Sequence, residues 1–418
     1  MKKGHKKSRI HYGRFLVLII VIVASFIAVD KFFLKSVDSK KETSLIMSKF
    51  VGKDEDYLDK FKKISFDRVY KYDDDFPKGK VISQSVPEGT EYKAGTSVSV
   101  VISLGKVDKQ KFTEDGINEL GRVPIMMYHG IEDVSDNKYV GGNIDRDGYN
   151  RTADAFRKDL EFYYSKGYRM VRLVDYVNGK IDVSYGKSPL VLTFDDGNSN
   201  NIRVTGLDSN GDIVIDPNSA VGILEEFKKK YKDFNVTATF FVNDSLFNQP
   251  EYDEKILKWL VNNGYDVGNH TKGHTNFTKV DIEKTQEVVA DVYKRLDDII
   301  PKRYVKIVAL PFGSPYNKNH SNFPYILRGS YDGYSYETES ALRVGWEPEV
   351  SPFDKDFDKT FLKRCRAYDN NGKDFDIEYV FNMLDNKRYI SDGVISTVVA
   401  PEGQKNKMGD TKLDVVYY

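Results

Sequence analysis

From residue 123 onward, short apolar runs alternate with stretches whose apolar residues recur at helical spacing. Val123-Pro124-Ile125-Met126-Met127-Tyr128 reads as a buried strand ending in the polar pair His129-Gly130. Thr152 then stands where a helix N-cap belongs, Phe156, Leu160 and Tyr163 share one helical face, and Gly167 ends the pattern. Strands are expected over residues 189–194, 236–242 and 265–268, and helices over 220–231 and 254–263. The stretch 282–299, with Val288, Val289, Val292 and Leu296 on one side, reads as a core-facing amphipathic helix. Strands alternating with helices predict an α/β fold with a parallel sheet, whose ligands gather at the carboxyl ends of the strands. The insertion 202–217 is expected as a small hairpin beside that mouth. Its acidic residues lack the terminal Glu spacing of an EF-hand.

The first hundred residues have a different pattern. Residues 15–29 carry no charge and follow a tail holding Lys2, Lys3, Lys6, Lys7, Arg9 and Arg14 without an acidic residue. At about 1.5 Å per residue the run reaches roughly 22 Å, and Phe32, Phe33 and Leu34 extend it toward the ~30 Å of a hydrocarbon core. We expect an uncleaved transmembrane signal anchor at 15–34, since Phe26 spoils a small-x-small cleavage site before Ala28. A cytoplasmic tail at 1–14 and an extracellular remainder follow from its basic flank. Residues 45–106 form a compact unit: an amphipathic stretch at 57–64, then alternating strands at 80–85 and 97–103 separated by Pro87-Glu88-Gly89 and Ala94-Gly95 turns. Residues 107–122 read as a charged linker, leaving 123–418 as the largest domain.

Composition narrows the function. Sixty-three basic residues balance 63 acidic ones, so nothing in the net charge points to nucleic acid. The single cysteine, Cys365, excludes an intrachain disulfide or a thiolate metal cluster. The six histidines, His5, His11, His129, His270, His274 and His320, can be audited one by one.

Two motifs carry the chemistry. Thr193-Phe194-Asp195-Asp196-Gly197 puts two carboxylates at a strand end, and Asn269-His270-Thr271-Lys272-Gly273-His274 spaces two imidazoles at i and i+4, one face of a helical turn. Two His and one carboxylate make an open divalent site with positions left for water and a substrate carbonyl. The second carboxylate is then free to accept a proton from water.

The run Gly79-Lys80-Val81-Ile82-Ser83-Gln84-Ser85-Val86-Pro87-Glu88-Gly89-Thr90, with Gly95-Thr96-Ser97-Val98 and Ser103-Leu104-Gly105-Lys106, resembles a PASTA domain, a family associated with cell-wall peptidoglycan outside cells. The Asp-Asp and His pair resemble the signature of carbohydrate esterase family 4, the NodB-homology polysaccharide deacetylases. That resemblance implies a distorted (β/α) barrel over residues 123–418, preceded by the transmembrane helix and the small α+β PASTA-like unit. It also implies zinc or a similar divalent ion on Asp196, His270 and His274, with Asp195 as catalytic base. Two later motifs depart from the family. Ala309, in Ala309-Leu310-Pro311-Phe312-Gly313, stands where an Arg that holds the base is expected, and the usual late acid His is missing after the apolar strand 394–399.

No histidine follows His320, which lies in a polar loop stretch. His5 and His11 fall on the cytoplasmic side, so His129, at the end of a strand beside the catalytic one, is expected as the general acid. The Met127-Tyr128-His129 segment also resembles the opening of the poly-N-acetylglucosamine deacetylase branch. Glu402 is the fallback acid, and Trp346 is expected either to line an acetyl-methyl pocket or to sit in the core. The expected function is metal-dependent removal of N-acetyl groups from a cell-wall amino sugar, peptidoglycan first, on the outer face of the cell membrane and with no nucleic-acid partner. The alternatives are an exopolysaccharide substrate and an inactive glycan-binding wall sensor.

Overall fold

The computed structural model describes residues 44–133 and 149–418. The expected tail at 1–14 and anchor at 15–34 lie outside them. Among the described residues no helix is long and apolar enough to cross a membrane. The chain divides into two compact units, one ending at residue 69 and resuming at 78–103, the other built from 70–77 and 104–418.

The smaller unit is a three-stranded sheet, β1 (Ile64–Lys71), β2 (Val81–Gln84) and β3 (Thr96–Ser103), with β3 in the centre. β2 and β3 occupy the two predicted strands. The amphipathic stretch at 57–64 is instead a tight helical turn, Glu55–Lys60, and Ile64 already belongs to β1. Edge-to-face contacts of Phe50 with Phe61 and Phe66, at 4.9 and 5.1 Å, explain the early end of the helix. They draw Phe61 and Phe66 to one aromatic centre that a continuing helix could not supply.

In the larger unit the segment expected as a linker is folded. Helix α1 (Lys109–Asp115) is capped by Asp108, which accepts a 2.9 Å bond from the Lys111 amide, and ends at left-handed Gly116. Glu119 follows, fully buried. It accepts bonds from Tyr389 Oη (2.9 Å), Ser391 Oγ (3.0 Å) and the Val399 amide (2.8 Å). Burial, and then the charge of Asp392, push its carboxyl well above the ordinary range.

Nine strands form the main sheet: β4 (Ile125–Tyr128), β5 (Tyr168–Met170), β6 (Ser188–Phe194), β7 (Thr239–Val242), β8 (Asp266–Asn269), β9 (Ile307–Ala309), β10 (Ser340–Leu342), β11 (Phe361–Leu362) and β12 (Cys365–Arg366). The order is β11-β10-β9-β8-β7-β6-β4-β12, with β5 also on β6, and every pairing is parallel. The two ends of this order, β11 and β12, are joined by Lys363 and Arg364 alone. Three residue steps span at most about 11 Å, so the sheet must curl until its edges meet. The result is a curled parallel-strand half-barrel with Arg364 at the seam between its edges, in place of the full distorted barrel expected. The apolar strand expected at 394–399 appears as Thr397–Ala400, but it pairs with Asp414–Tyr417 outside the main sheet.

Helices α2 (Ala153–Ser165), α3 (Ala220–Lys230), α4 (Asp253–Asn262) and α5 (Ile282–Ile299) match the periodic stretches of the sequence. Thr152 caps α2 by accepting from the Ala155 amide. Strand alternation separates two cores: Leu190, Leu192 and Phe194 of β6 join the helix-facing cluster, whereas Val191 joins Ile125, Phe241, Ile307 and Leu342 inside the curl. The insertion is the predicted hairpin, Val204–Leu207 with Ile213–Ile215.

Candidate active site

The inward alternation of β6 runs Val191, Thr193, Asp195, so Asp195 emerges at the carboxyl end of the strand and inside the curl. Its amide donates to the Tyr128 carbonyl (2.9 Å), and Thr193 and Phe194 pair with Met127 and Tyr128. The next position on β4 is therefore His129, and its Nε2 lies 4.0 Å from Asp195 Oδ2. Among the described residues His129 Nδ1 is buried and has no hydrogen-bond partner. Burial lowers the pKa of this imidazole against the opposing charges of Asp195 and Asp196.

Asp195 is held by an arginine that the sequence reading missed. Arg364, fully buried at the seam, donates through Nη1 to Asp195 Oδ1 (2.7 Å) and through Nη2 to Oδ2 (2.6 Å). Nη1 also reaches Thr193 Oγ1 at 3.2 Å. The Arg missing at position 309 is thus replaced from elsewhere in the chain. The guanidinium comes from the β11–β12 junction, 169 residues along the chain, and not from position 309. Burial alone would raise the Asp195 pKa, but the charge and bonds of Arg364 carry it far below the usual carboxylate range. The pair is two-pronged and desolvated, the geometry in which losing one partner is most costly.

Asp196 turns away from Asp195 because its backbone is left-handed (φ 74°), supported by a 3.1 Å bond from Asn243 Nδ2 to its carbonyl. Gly197 follows with φ 62°, and a Cβ there would lie 1.9 Å from the Leu246 carbonyl oxygen, so only glycine permits this turn. Asp196 Oδ1 ends 3.1 Å from His270 Nε2 and 3.4 Å from His274 Nε2.

The two histidines do meet, though not on a helical face. Thr271, Gly273 and His274 all have positive φ (65°, 61° and 48°), so the motif is a kinked loop ending in a short 3-10 turn. Asn269 Oδ1 and Asp244 Oδ1 fix it by accepting from the Thr271 and Gly273 amides at 2.8 and 2.7 Å. The kink brings the imidazole centroids to 4.8 Å.

Asp196, His270 and His274 each present one donor atom, all within 4.8 Å of one another. The Ala309 carbonyl lies 2.9 Å from His270 Nδ1. With Nδ1–H donating there, Nε2 keeps its lone pair toward Asp196, the orientation a metal-ligating imidazole needs. Position 309 therefore contributes through its backbone although it lacks the Arg side chain. The donor set fits a divalent cation of the zinc type, with coordination positions left open.

Phe312, 55% exposed and at φ 59°, places its ring 4.5 Å from that of His274. Trp346 is 42% exposed, which removes the core reading, and stacks on the Arg366 guanidinium at 3.7 Å. Arg366 pairs in register with Met127, two residues before His129. Glu402 lies on an exposed turn beside Lys405, and His320 accepts from the Asn322 amide in its loop.

Residues 182–323 match the family model for polysaccharide deacetylase, and residues 49–104 that for the PASTA domain. A peptidoglycan-N-acetylglucosamine deacetylase of Bacillus cereus is 34% identical over 125 residues, covering 28% of this chain and 35% of that protein. The chain thus matches about a third of that relative's length. Similar solved structures include a polysaccharide deacetylase of Bacillus anthracis described as putative (TM-score 0.45, 17% identity, 71% of this chain and 74% of that one). A Streptococcus pyogenes deacetylase in complex with acetate has a TM-score of 0.44 at 16% identity, over 63% of this chain and 98% of the other.

Proposed function

The chain carries a polysaccharide deacetylase domain and a PASTA domain, and from that premise we propose that it hydrolyses N-acetyl groups of amino sugars in a cell-wall glycan, peptidoglycan first. The observation that carries this reading is the convergence of three elements at the carboxyl ends of β4, β6 and β8. These are the Arg364-held Asp195, the donor set Asp196, His270 and His274, and His129 at 4.0 Å from Asp195.

A divalent cation on Asp196, His270 and His274 would supply Lewis acidity toward water and toward the acetyl carbonyl. The chain's own groups do the rest. Asp195 accepts a proton from the attacking water. Arg364 keeps Asp195 ionised and aimed while it is buried. His129, within one bridging water of Asp195, donates a proton to the amide nitrogen as the C–N bond breaks, leaving acetate and a free amine. The exposed ring of Phe312, 4.5 Å from that of His274, offers an apolar face to the sugar and its acetyl methyl.

Location belongs to the same proposal. With an anchor at 15–34 the described units would stand outside the membrane, and the PASTA unit would hold the enzyme against the wall polymer. Because Arg364 fills the part assigned to the missing arginine, one of the two reasons for reading the chain as an inactive wall sensor falls away.

The direct test is acetate release, with matching free amines, from purified N-acetylated wall by the divalent-loaded full chain. No acetate from peptidoglycan or from a poly-N-acetylglucosamine polymer would sink the proposal. His129→Gln is expected to lower kcat about 10²–10⁴-fold, the range for losing a general acid, with metal content unchanged. Turnover at the wild-type rate would remove His129 from that role.

A further inference from the structure

A cleft of about 950 Å³ opens between α5 and the antiparallel hairpin Arg328–Tyr331 with Tyr334–Glu337. The hairpin is fastened to the helix by the Ser330 amide, which donates to Gln286 Oε1 at 3.0 Å. Lys306, on the cleft wall, immediately precedes β9, and its carbonyl accepts from the Glu339 amide at 2.7 Å just before β10. The cleft therefore borders the amino ends of strands whose carboxyl ends face the metal-ligand set.

Its lining is chemically specific. Five of 14 lining residues are tyrosine, against 28 in 418 for the chain, so the enrichment is not a reflection of overall composition. Tyr304, Tyr325 and Tyr334 keep part of their rings exposed, whereas Tyr293 and Tyr336 are buried in the core. Tyr293 packs at 5.6 Å on Tyr304 and at 5.9 Å on Tyr336, and the hydroxyls of Tyr304 and Tyr334 meet at 3.2 Å. Tyr325 is exposed at the rim. Lys302, Lys306 and Arg328 share these walls with Asp297 and Glu337, and Arg328 Nη2 pairs with Glu337 Oε1 at 2.7 Å. Mixed charge disfavours a polyanion, and the density of hydroxyl and charged groups disfavours an acyl chain. Aromatic faces interleaved with hydrogen-bonding groups suit a neutral, polyhydroxylated ring with one apolar face.

We propose that this cleft is a second glycan site, which holds an uncharged stretch of N-acetylated hexosamine polymer away from the bond being cleaved. The identity of the polymer rests on the deacetylase reading, whereas the sugar chemistry rests on the cleft itself. Such a site raises the local concentration of the same polymer at the catalytic end without touching the chemistry.

The test uses the full chain and two variants. Ser335→Trp adds bulk at an exposed lining position without removing any packing, and Tyr334→Ala removes an aromatic face. The probes are insoluble N-acetylated glycan, a soluble N-acetylglucosamine tetramer as the short substrate, and polyglutamate as an anionic control. Both variants are expected to lose about tenfold in retention on the insoluble glycan, the size of one lost aromatic contact. Their kcat on the tetramer should match wild type, as should the unfolding midpoint of Ser335→Trp, whereas Tyr334→Ala also loses its hydroxyl contact with Tyr304. Unchanged retention in Ser335→Trp overturns the proposal even if Tyr334→Ala folds poorly, and so does equal or stronger retention of polyglutamate by the wild type. If the wild type releases no acetate while the variants still lose glycan retention, the catalytic reading fails and the second site stands.

Discussion

Arg364→Met is expected to lower kcat on the order of 10²–10³-fold, as for loss of one preorganised electrostatic group. It should also destabilise the fold by about 3–5 kcal/mol, because Asp195 is left buried without its partner. The pH dependence separates the two effects. In the wild type the Asp195 pKa is depressed, so its stabilisation is present above the ordinary carboxylate value of about 3.9 and is lost as pH falls toward the lowered value. Without Arg364, burial dominates and raises that pKa. The variant then becomes less stable as pH rises through the raised value, the opposite slope. Arg364→Met with Asp195→Asn should recover most of the stability and none of the turnover. Denaturation from pH 3 to 8 alongside acetate release checks both, and a single variant with wild-type kcat and slope would remove Arg364 from the site.

Chelation is expected to reduce turnover to background and to lower the unfolding midpoint, with both restored by a divalent ion. The donor atoms of Asp196, His270 and His274 lie within 4.8 Å of one another, and the Ala309 carbonyl orients His270, so the native state binds a cation that the unfolded chain holds poorly. Saturation at about 1,000 times the dissociation constant stabilises by about 4 kcal/mol. His270→Ala should abolish both turnover and the metal-dependent shift. His320→Ala, altering a loop imidazole outside the donor set, should change neither. A metal-depleted chain that still works at full rate would overturn the assignment of these three residues.

Much of this site was legible in the sequence because it is built from neighbours. Asp195-Asp196 and His270/His274 are each local pairs at the end of an apolar strand. His129 was reachable by counting, since six histidines leave few candidates. The expected geometry of the His pair was less accurate. Spacing of i and i+4 fits one helical turn, but positive φ at Thr271, Gly273 and His274 makes a kinked loop that reaches the same proximity by another route. Arg364 carried no local signal: it sits between two two-residue strands, in a run of basic and apolar residues without a motif. Glu119 was misread as linker because its partners, Tyr389, Ser391 and Val399, lie some 270–280 residues further on.

The sequence by itself determined the alternation of strands and helices, the amphipathic helices of the larger unit, the β2–β3 strand pair and the two motifs that bear donors. Each depends on periodicity or on residues a few positions apart, where side-chain direction follows from local backbone geometry. Only the tertiary structure decided how the sheet curls and what holds the catalytic base. Joining β11 to β12 through two residues brings opposite edges of the sheet together, and that closure alone places the Arg364 guanidinium against Asp195. A contact made by curling a whole sheet leaves no short-range trace, because the pairing is set by the sum of parallel registers across the strands between them.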